Sequence, residues 1–509
     1  MLPYLQEVQT PSKKYCVEFR GINYGEGAQD GEFAETFNLS ADKYPCITQR
    51  AARVLAGQYA YPTTIHAKGK LLVIDGARVM YDGKMVGQVT EGKKQTATIG
   101  NYIVIFPDKA YYKVPTDENP DGEFGSMEET YTQAGLVFTD STITTTGENF
   151  KFRAGDAVKI TGCETIANNQ EPIIREVSGK VLTFDENTFT AATEAASVTI
   201  KREVPDLDFI CESNYRLWGT HGNTIYSSKF SDPLNFAVFD GLSSDSYAIE
   251  VGSEGEFTGC IPYSSHICFF KENTLHKLYG TKPSNFQINT SNVYGVQSGS
   301  ERSMFIVNEQ LIYKGVGGIY AYTGGVPELI SGVFGGKRYT DAVACCDGET
   351  YYVSMRRGDE YSLFTLDVAK NIWLREDDTH AVDMTFHDGK VYYVDADGGL
   401  YYIDKEADRG GIEWGATLCT MHETINERKG YSKFHLRMDL SAGAWLSVDI
   451  KTDRDTQWRQ VYTTHNERAR MVSIPIVPTR CDSIDIRLRG KGACTIKTFI
   501  REFTVGSDI

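Results

Sequence analysis

From Ile65 onward, short apolar runs alternate with Gly or Asp-Gly turns and lead into aromatic-rich runs, a rhythm of paired strands rather than of helices. The clearest copy is Gly389-Lys390-Val391-Tyr392-Tyr393-Val394-Asp395-Ala396-Asp397-Gly398-Gly399-Leu400-Tyr401-Tyr402-Ile403-Asp404, two short strands about a Gly-rich tight turn. Related pieces are Leu71-Leu72-Val73-Ile74-Asp75-Gly76, Asn223-Thr224-Ile225-Tyr226, Thr274-Leu275-His276-Lys277-Leu278-Tyr279-Gly280, Gly318-Ile319-Tyr320-Ala321-Tyr322 and Gly348-Glu349-Thr350-Tyr351-Tyr352-Val353. Apart from the first, these recur at roughly 30 to 50 residues, the spacing of four-stranded propeller blades. The pattern predicts an all-β chain with a β-propeller of about six blades, near 65–113, 206–245, 255–290, 299–335, 339–375 and 379–405.

Three other segments depart from this rhythm. Residues 114–205 open with Pro, Asp, Glu and Gly and then alternate with period two, as in Phe150-Lys151-Phe152 and Val158-Lys159-Ile160, which predicts an inserted small β-barrel of five or so strands. Residues 412–509 alternate cleanly in Phe434-His435-Leu436-Arg437-Met438, Trp445-Leu446-Ser447-Val448-Asp449-Ile450 and Ser483-Ile484-Asp485-Ile486-Arg487-Leu488. One-sided burial of that kind predicts a C-terminal β-sandwich of jelly-roll type. Residues 1–64 are the least regular and are expected to be an N-terminal arm and the first propeller or platform strands, with a short helical turn over Gln49 to Leu55.

Composition sharpens this picture. The 509 residues suffice for two or three domains. Thirty Tyr, 25 Phe and 48 Gly against 15 Pro suit many short strands joined by tight turns. The net charge of −16 argues against a protein that grips nucleic acid, because phosphate binding needs clustered Lys and Arg. The charge is uneven: residues 412–509 hold 15 basic and 12 acidic side chains, about +3, whereas residues 1–411 hold 37 and 56, about −19. That shift supports a boundary near Arg409-Gly410-Gly411. Eleven scattered Cys with no C-x-x-C pair suggest neither a disulfide framework nor a zinc site. Met1-Leu2-Pro3-Tyr4 lacks a signal-peptide pattern, and no apolar run approaches the roughly 18 residues of a membrane span. The expectation is a chain made and kept soluble inside a cell, or assembled there into something larger, with no membrane association.

Candidate chemistry is sparse, and no cofactor or metal is expected. Asp347-Gly348-Glu349-Thr350-Tyr351 lacks the residue between Asp and Gly found in the repeated boxes of sialidase propellers. Nothing in the sequence singles out the carboxylate pair a glycosidase needs. His380 and His387 have no nearby Cys or second ligand pair. Gly335-Gly336-Lys337 is followed by Arg338 rather than Ser or Thr, which disfavours a phosphate-cradling loop. Asp395-x-Asp397 and Asp453-x-Asp455 lack the acidic residue that completes a calcium loop, and turn chemistry accounts for them. Cys345 and Cys346 point to opposite faces of a strand, one in the core and one partly exposed. Trp445 sits in an alternating strand and is expected in the core, while Trp414 and Trp458 are the candidates for contact with a glycan or a partner.

The layout as a whole resembles the tail-tube nozzle proteins, also called tail hub or stabilisation proteins, of short-tailed bacteriophages. The resemblance is carried by Phe19-Arg20-Gly21-Ile22-Asn23, Asn38-Leu39-Ser40, Tyr44-Pro45 and Arg50, followed by propeller strands, an inserted barrel and a closing sandwich. Phe257 to Phe270, the Lys271-Glu272-Asn273 turn and Leu275-His276-Lys277-Leu278-Tyr279-Gly280 are similar to blades of that family. The resemblance implies a non-enzymatic virion subunit, a homo-oligomeric ring of six copies around the DNA-ejection channel, and other tail and portal or adaptor proteins as partners. Genome DNA would pass through without specific binding, past an acidic wall. The alternative is a glycan-binding adhesin or capsid-decorating virion protein.

Overall fold

The computed structural model describes residues 10–409, 411–421, 427–453, 455–466, 470–477 and 480–506, so that Met1-Leu2-Pro3-Tyr4 and Gly410 of the expected boundary lie outside the described residues. Strands joined by turns make up the described chain, with four short 3-10 turns and no α-helix among the described residues. The chain divides into two compact units, Ala60–Glu301 and Met1–Tyr59 with Arg302–Ile509.

The 60–301 unit contains four four-stranded antiparallel meanders, spanning residues 62–88, 95–126, 209–250 and 257–292. Their hairpins follow local turn chemistry. Tyr81 pairs with Lys84 across Asp82-Gly83, both at positive φ, as a two-residue hairpin requires. The strand Tyr102–Phe106 is buried along both faces: Ile103 and Ile105 join a cluster with Leu72 and Ile74 of the first sheet. Val104 and Phe106 join another with Ile210 and Leu217 of the third. Trp218, Ile225, Phe269 and Leu278 fill the next layer. Stacking on both sides explains why these strands read as continuous apolar runs instead of alternating.

Between the second and third sheets, six strands within residues 129–202 form a separate sheet around their own core of Leu136, Phe138, Ile160, Leu182 and Ile200. The strand Lys159–Thr161 at one edge and the chain ahead of Glu176–Ser178 at the other are joined by backbone hydrogen bonds, from Ile160 N to Gln170 O (2.8 Å) and Val158 N to Pro172 O (3.0 Å). The six strands thereby wrap almost into a barrel. A buried triad anchors this body: Asp156 accepts from Arg202 (2.5 Å) and from Asn235 (3.1 Å) of the third sheet.

In the other unit, three more four-stranded sheets cover 305–329, 340–377 and 381–403. The last of them has only three strands of its own and takes Arg53–Gln58 as the fourth. Beside it lie two larger sheets that share one core, in which Leu446, Val448, Ile486 and Leu488 of one face Phe434, Leu436, Met438 and Phe499 of the other. The strands Ser12–Cys16, Leu39–Ser40 and Ile47–Gln49 belong to the sheet of Phe434 and Phe499, the first sandwich sheet, and Gly21–Ile22 and Glu32–Phe37 to the sheet of Leu446 and Ile486, the second.

Four expectations change. Among the described residues seven four-stranded sheets occur where the rhythm predicted about six blades, because 65–113 covers most of one sheet and three strands of the next. The fourth strand of that second sheet, Glu123–Ser126, falls in the segment assigned to the insertion. Gln49 ends one strand and Arg53–Leu55 begin another, joined by a three-residue connection rather than a helical turn, since each end is pulled into a different sheet. Residues 12–49 contribute five strands to the two larger sheets where an arm was expected, and Arg53–Gln58 joins a four-stranded sheet. Gly21 shows the constraint: its φ is +85°, and a Cβ there would stand 2.3 Å from the Trp373 carbonyl oxygen.

Arg53–Gln58 is held by charge as well as by its ladder. Arg53 reaches Glu376 (2.7 Å) and Asp377 (2.8 Å), Arg50 reaches Asp377 (3.2 Å), and all four side chains are largely buried. Removing one partner of such a group strands the others in low dielectric. Glu376→Gln is therefore expected to destabilise the protein by about 2–3 kcal/mol, read from the denaturant midpoint at unchanged m-value.

His276 is 1% exposed, bonded to Ser253 (2.8 Å) and Thr290 (2.9 Å). Burial, followed by the nearby Lys271 charge, pulls its pKa down to about 4. Between the ordinary histidine value and pH 4 the unfolded chain binds the proton and the folded chain does not, so stability falls as pH drops through that window. His276→Gln should lessen this loss by on the order of 1–2 kcal/mol at pH 4.5 in denaturant titrations.

Candidate functional site

The clearest surface feature lies on the outer face of the second sandwich sheet. Its strands run in the order Gly21–Ile22, Glu32–Phe37, Glu413–Leu418, Ile484–Lys491, Trp445–Thr452, Arg459–Thr464. Strand alternation sends Trp414, Ala416, Leu418, Ile486, Leu488, Leu446 and Val448 inward. The opposite phase is turned outward, and the ladder places Phe37 beside Gly415, Gly415 beside Arg489, Thr417 beside Arg487, and Arg487 beside Asp449.

Asp449 organises this face. It is 1% exposed, and its Oδ2 accepts from Arg487 Nε (3.0 Å) and Arg489 Nε (2.8 Å). Two guanidiniums on one carboxylate leave a net positive charge held by a buried anchor. Asp449 Oδ1 and the neighbouring Ser447 Oγ are buried without a hydrogen-bond partner. The Arg487 guanidinium also lies 4.4 Å from the ring centroid of Trp458, with the Lys451 ammonium at 5.0 Å. These cations cover the half-buried indole and fix its plane.

Next to the arginines is an open cleft of about 270 Å³, bordered by Glu35, Phe37, Glu413, Trp445, Arg487 and Arg489. Phe37 is 36% exposed at its rim. Trp414 lies beneath: it is 3% exposed, and its Nε1 donates to Gly492 O (3.2 Å). Its indole needs Gly490 to lack a side chain, because a Cβ at 490 would stand 2.4 Å from Trp414. Aromatic rims, a fixed arginine pair and flanking carboxylates suit a polar, hydroxyl-rich or anionic group laid across the sheet.

The two sequence-predicted contact residues therefore differ in place. Trp458 faces outward in the cationic cluster, while Trp414 is part of the core under the cleft. Trp445, expected in the core, is half-buried on the outer face. Its neighbours carried the signal, since Leu446, Val448 and Ile450 set the inward phase and Trp445 is one step out of it. Phe37 and the Arg487–Asp449–Arg489 group were not singled out; the arginines were legible as outward positions, but Phe37 comes from a segment without periodicity.

The remaining candidates stay apart. His380 stacks on Tyr361 with ring centroids 3.5 Å apart, and His387 pairs with Asp388. Asp395 Oδ1 accepts from Asp397 N and Gly399 N, and Asp347 Oδ1 from Glu349 N and Thr350 N, both as turn caps. Asp453 Oδ1 accepts from Asp482 N and Ser483 N. Cys345 is buried and Cys346 half-buried. No cluster of metal-ligating side chains occurs among the described residues. No helix there is long and apolar enough to cross a membrane.

No protein-family model and no curated protein matches the chain. Among solved structures it is similar to BamB from Moraxella catarrhalis, at 11% identity over 70% of this chain and 98% of that one, with a TM-score of 0.36. It is also similar to Hsv2 from Kluyveromyces lactis (8%, 62% and 97%, TM-score 0.28). A third is an exo-β-1,3-galactanase from Phanerochaete chrysosporium (9%, 56% and 92%, TM-score 0.22). Likenesses this distant carry no functional argument.

Proposed function

We propose that this chain is a non-catalytic structural subunit of a phage particle, a tail-nozzle protein whose copies ring the channel through which DNA leaves the capsid. In this reading the seven four-stranded sheets are propeller blades, the six-stranded body of residues 129–202 is inserted between two of them, and the sandwich closes the molecule. The observation that carries the propeller is the contact between first strands. Within one unit Pro62–Lys68, Gln95–Ile99, Phe209–Ser213 and Phe257–Tyr263 touch in succession, and within the other Phe305–Val307, Thr340–Cys346 and Ala381–His387 do so, as strands lining a propeller axis would. The 381–403 sheet takes its fourth strand from Arg53–Gln58, far earlier in the chain, which supports the reading of these sheets as blades.

The order of these bodies along the chain matches the resemblance, and the charge supports it. A wall that bound phosphate would stall an exiting genome, whereas the −19 balance of residues 1–411 repels it. A closed ring requires a heterologous interface, in which one surface of each copy meets a different surface of the next. Native mass spectrometry of the purified chain should give a hexamer, with rings in negative-stain images and the protein present in purified virions. A chain that stays monomeric at high concentration and is missing from virions would overturn the nozzle reading.

A second reading is favoured by the outer sandwich face, where Trp445, Trp458 and Phe37 surround the arginine pair: the protein binds host glycans as an adhesin or capsid decoration. Glycan-array binding abolished by Trp458→Ala would establish it, and an array without signal would remove it.

A further inference from the structure

A cavity that neither proposed role uses lies within the 60–301 unit, between the 209–250 and 257–292 sheets. Each of these sheets joins its first two strands by a two-residue turn, Asn214-Tyr215 between Ser213 and Arg216 in one and Ser264-Ser265 between Tyr263 and His266 in the other. Asn214, Tyr215 and Ser264 take the positive φ that such tight turns demand. In the second sheet the chain leaving the strand Thr274–Tyr279 turns back through Gly280 and Thr281, pinned by Asn285 Oδ1, which accepts from Thr281 N and Lys282 N (both 3.0 Å). That return brings Phe286 edge-on to Trp218, with ring centroids 5.2 Å apart.

The two turns and this return enclose a cleft of about 310 Å³. Small-molecule sites begin at roughly that size, about 300 Å³. Its floor is apolar, made by Trp218, Ile267, Leu278 and the half-buried Phe286, and its rim carries the exposed Asn214, Ser264, Ser265 and Thr281. Among the described residues the lining holds one guanidinium and no carboxylate. That guanidinium, of Arg216, is held by three carbonyl oxygens: Nη1 donates to Ser228 O (2.8 Å) and Asp245 O (2.5 Å), and Nη2 to Ser243 O (2.8 Å). Its central carbon lies 5.9 Å from the ring centroids of both Phe230 and Phe286. A guanidinium has five N–H donors, and Arg216 Nε is buried without an acceptor. The side chain is therefore fixed in place with donors still to spend, so that ordering it on binding costs little. Beside the first turn Tyr215 and Phe230, both exposed, extend the apolar surface with ring centroids 5.7 Å apart.

We propose that this cleft binds a small carboxylate with an apolar body, free or at the C-terminal end of a peptide, with the carboxylate on Arg216 and the body against Leu278 and Phe286. One guanidinium matches one carboxylate, whereas a phosphate dianion would call for further cations that the lining does not hold. A sugar ring would leave hydroxyls unpaired against the apolar floor. Burial lowers the Arg216 pKa and Asp245 opposes it, so a carboxylate arriving from the cleft adds to what favours the charged form. The site depends on neither the nozzle nor the glycan assignment, and its ligand would be held away from the sandwich face.

Isothermal calorimetry of the full chain with N-acetyl-L-phenylalanine should give saturable one-site binding. Its primary amide, the same body without the charge, should bind at least about tenfold more weakly. A hexapeptide ending in phenylalanine that binds more tightly than the N-acetyl amino acid would identify a chain terminus as the ligand, and equal or weaker binding the free acid. Arg216→Lys keeps the charge but loses the planar fork, and should weaken binding of the acid by at least about tenfold. Ser265 is exposed at the rim, so Ser265→Trp should fold normally, fill the cleft and weaken binding as much, which keeps the test decisive if Arg216→Lys fails to fold. Unsaturable binding, an amide that binds as tightly as the acid, or affinity unchanged in Ser265→Trp would overturn the proposal.

Discussion

The seventh sheet depends on four charges buried where the beginning and middle of the chain meet. Arg50 and Arg53 stand against Glu376 and Asp377 with little water to share their fields, and the strand that Arg53 begins completes a sheet whose other strands lie more than three hundred residues later. Apolar ladders alone specify such a strand weakly, because a slip of register can preserve many contacts. Guanidinium forks aimed at two adjacent carboxylates fix both register and partner. Immediately before this strand the chain runs through the sandwich, so the same charges tie two bodies of one unit together.

How much of this could be read beforehand follows from physical scale. Turn chemistry acts over four residues, and the Asp82-Gly83 and Asp388-Gly389 hairpins are where their sequence puts them, each between register partners. Burial on one face acts over a strand, and Phe434 to Met438 or Ile484 to Leu488 declare it by alternation. Sheets buried on both faces, such as the one containing Ile103-Val104-Ile105-Phe106, erase that alternation, and the boundary between the first and second sheets disappeared with it. The N-terminal strands had no periodic signal at all. Gly21, Asn38 and Arg50 were noticed as parts of a resemblance, whereas their physical reasons are contacts with Trp373, Glu376 and Asp377 on the far side of the sequence.

The same contrast applies to the surface sites. Trp458 could be chosen from the sequence because an indole near a sandwich edge is conspicuous, and Trp445 was misjudged although the phase of its strand was on view. Arg487 and Arg489 were visible as outward residues, but not the shared Asp449 that turns two mobile side chains into a fixed pair.

The body formed by residues 129–202 leaves its host at a single place. Glu129 and Arg202, its first and last strand residues, are paired across the ladder, so the chain departs and comes back through one doorway two strands wide. With a core of its own and a few polar anchors, Asp156 to Asn235, Arg153 to Asp232 and Arg175 to Asp240, such a body can change its outer loops with little repacking of the surrounding sheets. Substitutions within that body are therefore borne by its own core and leave the frame that carries it unchanged.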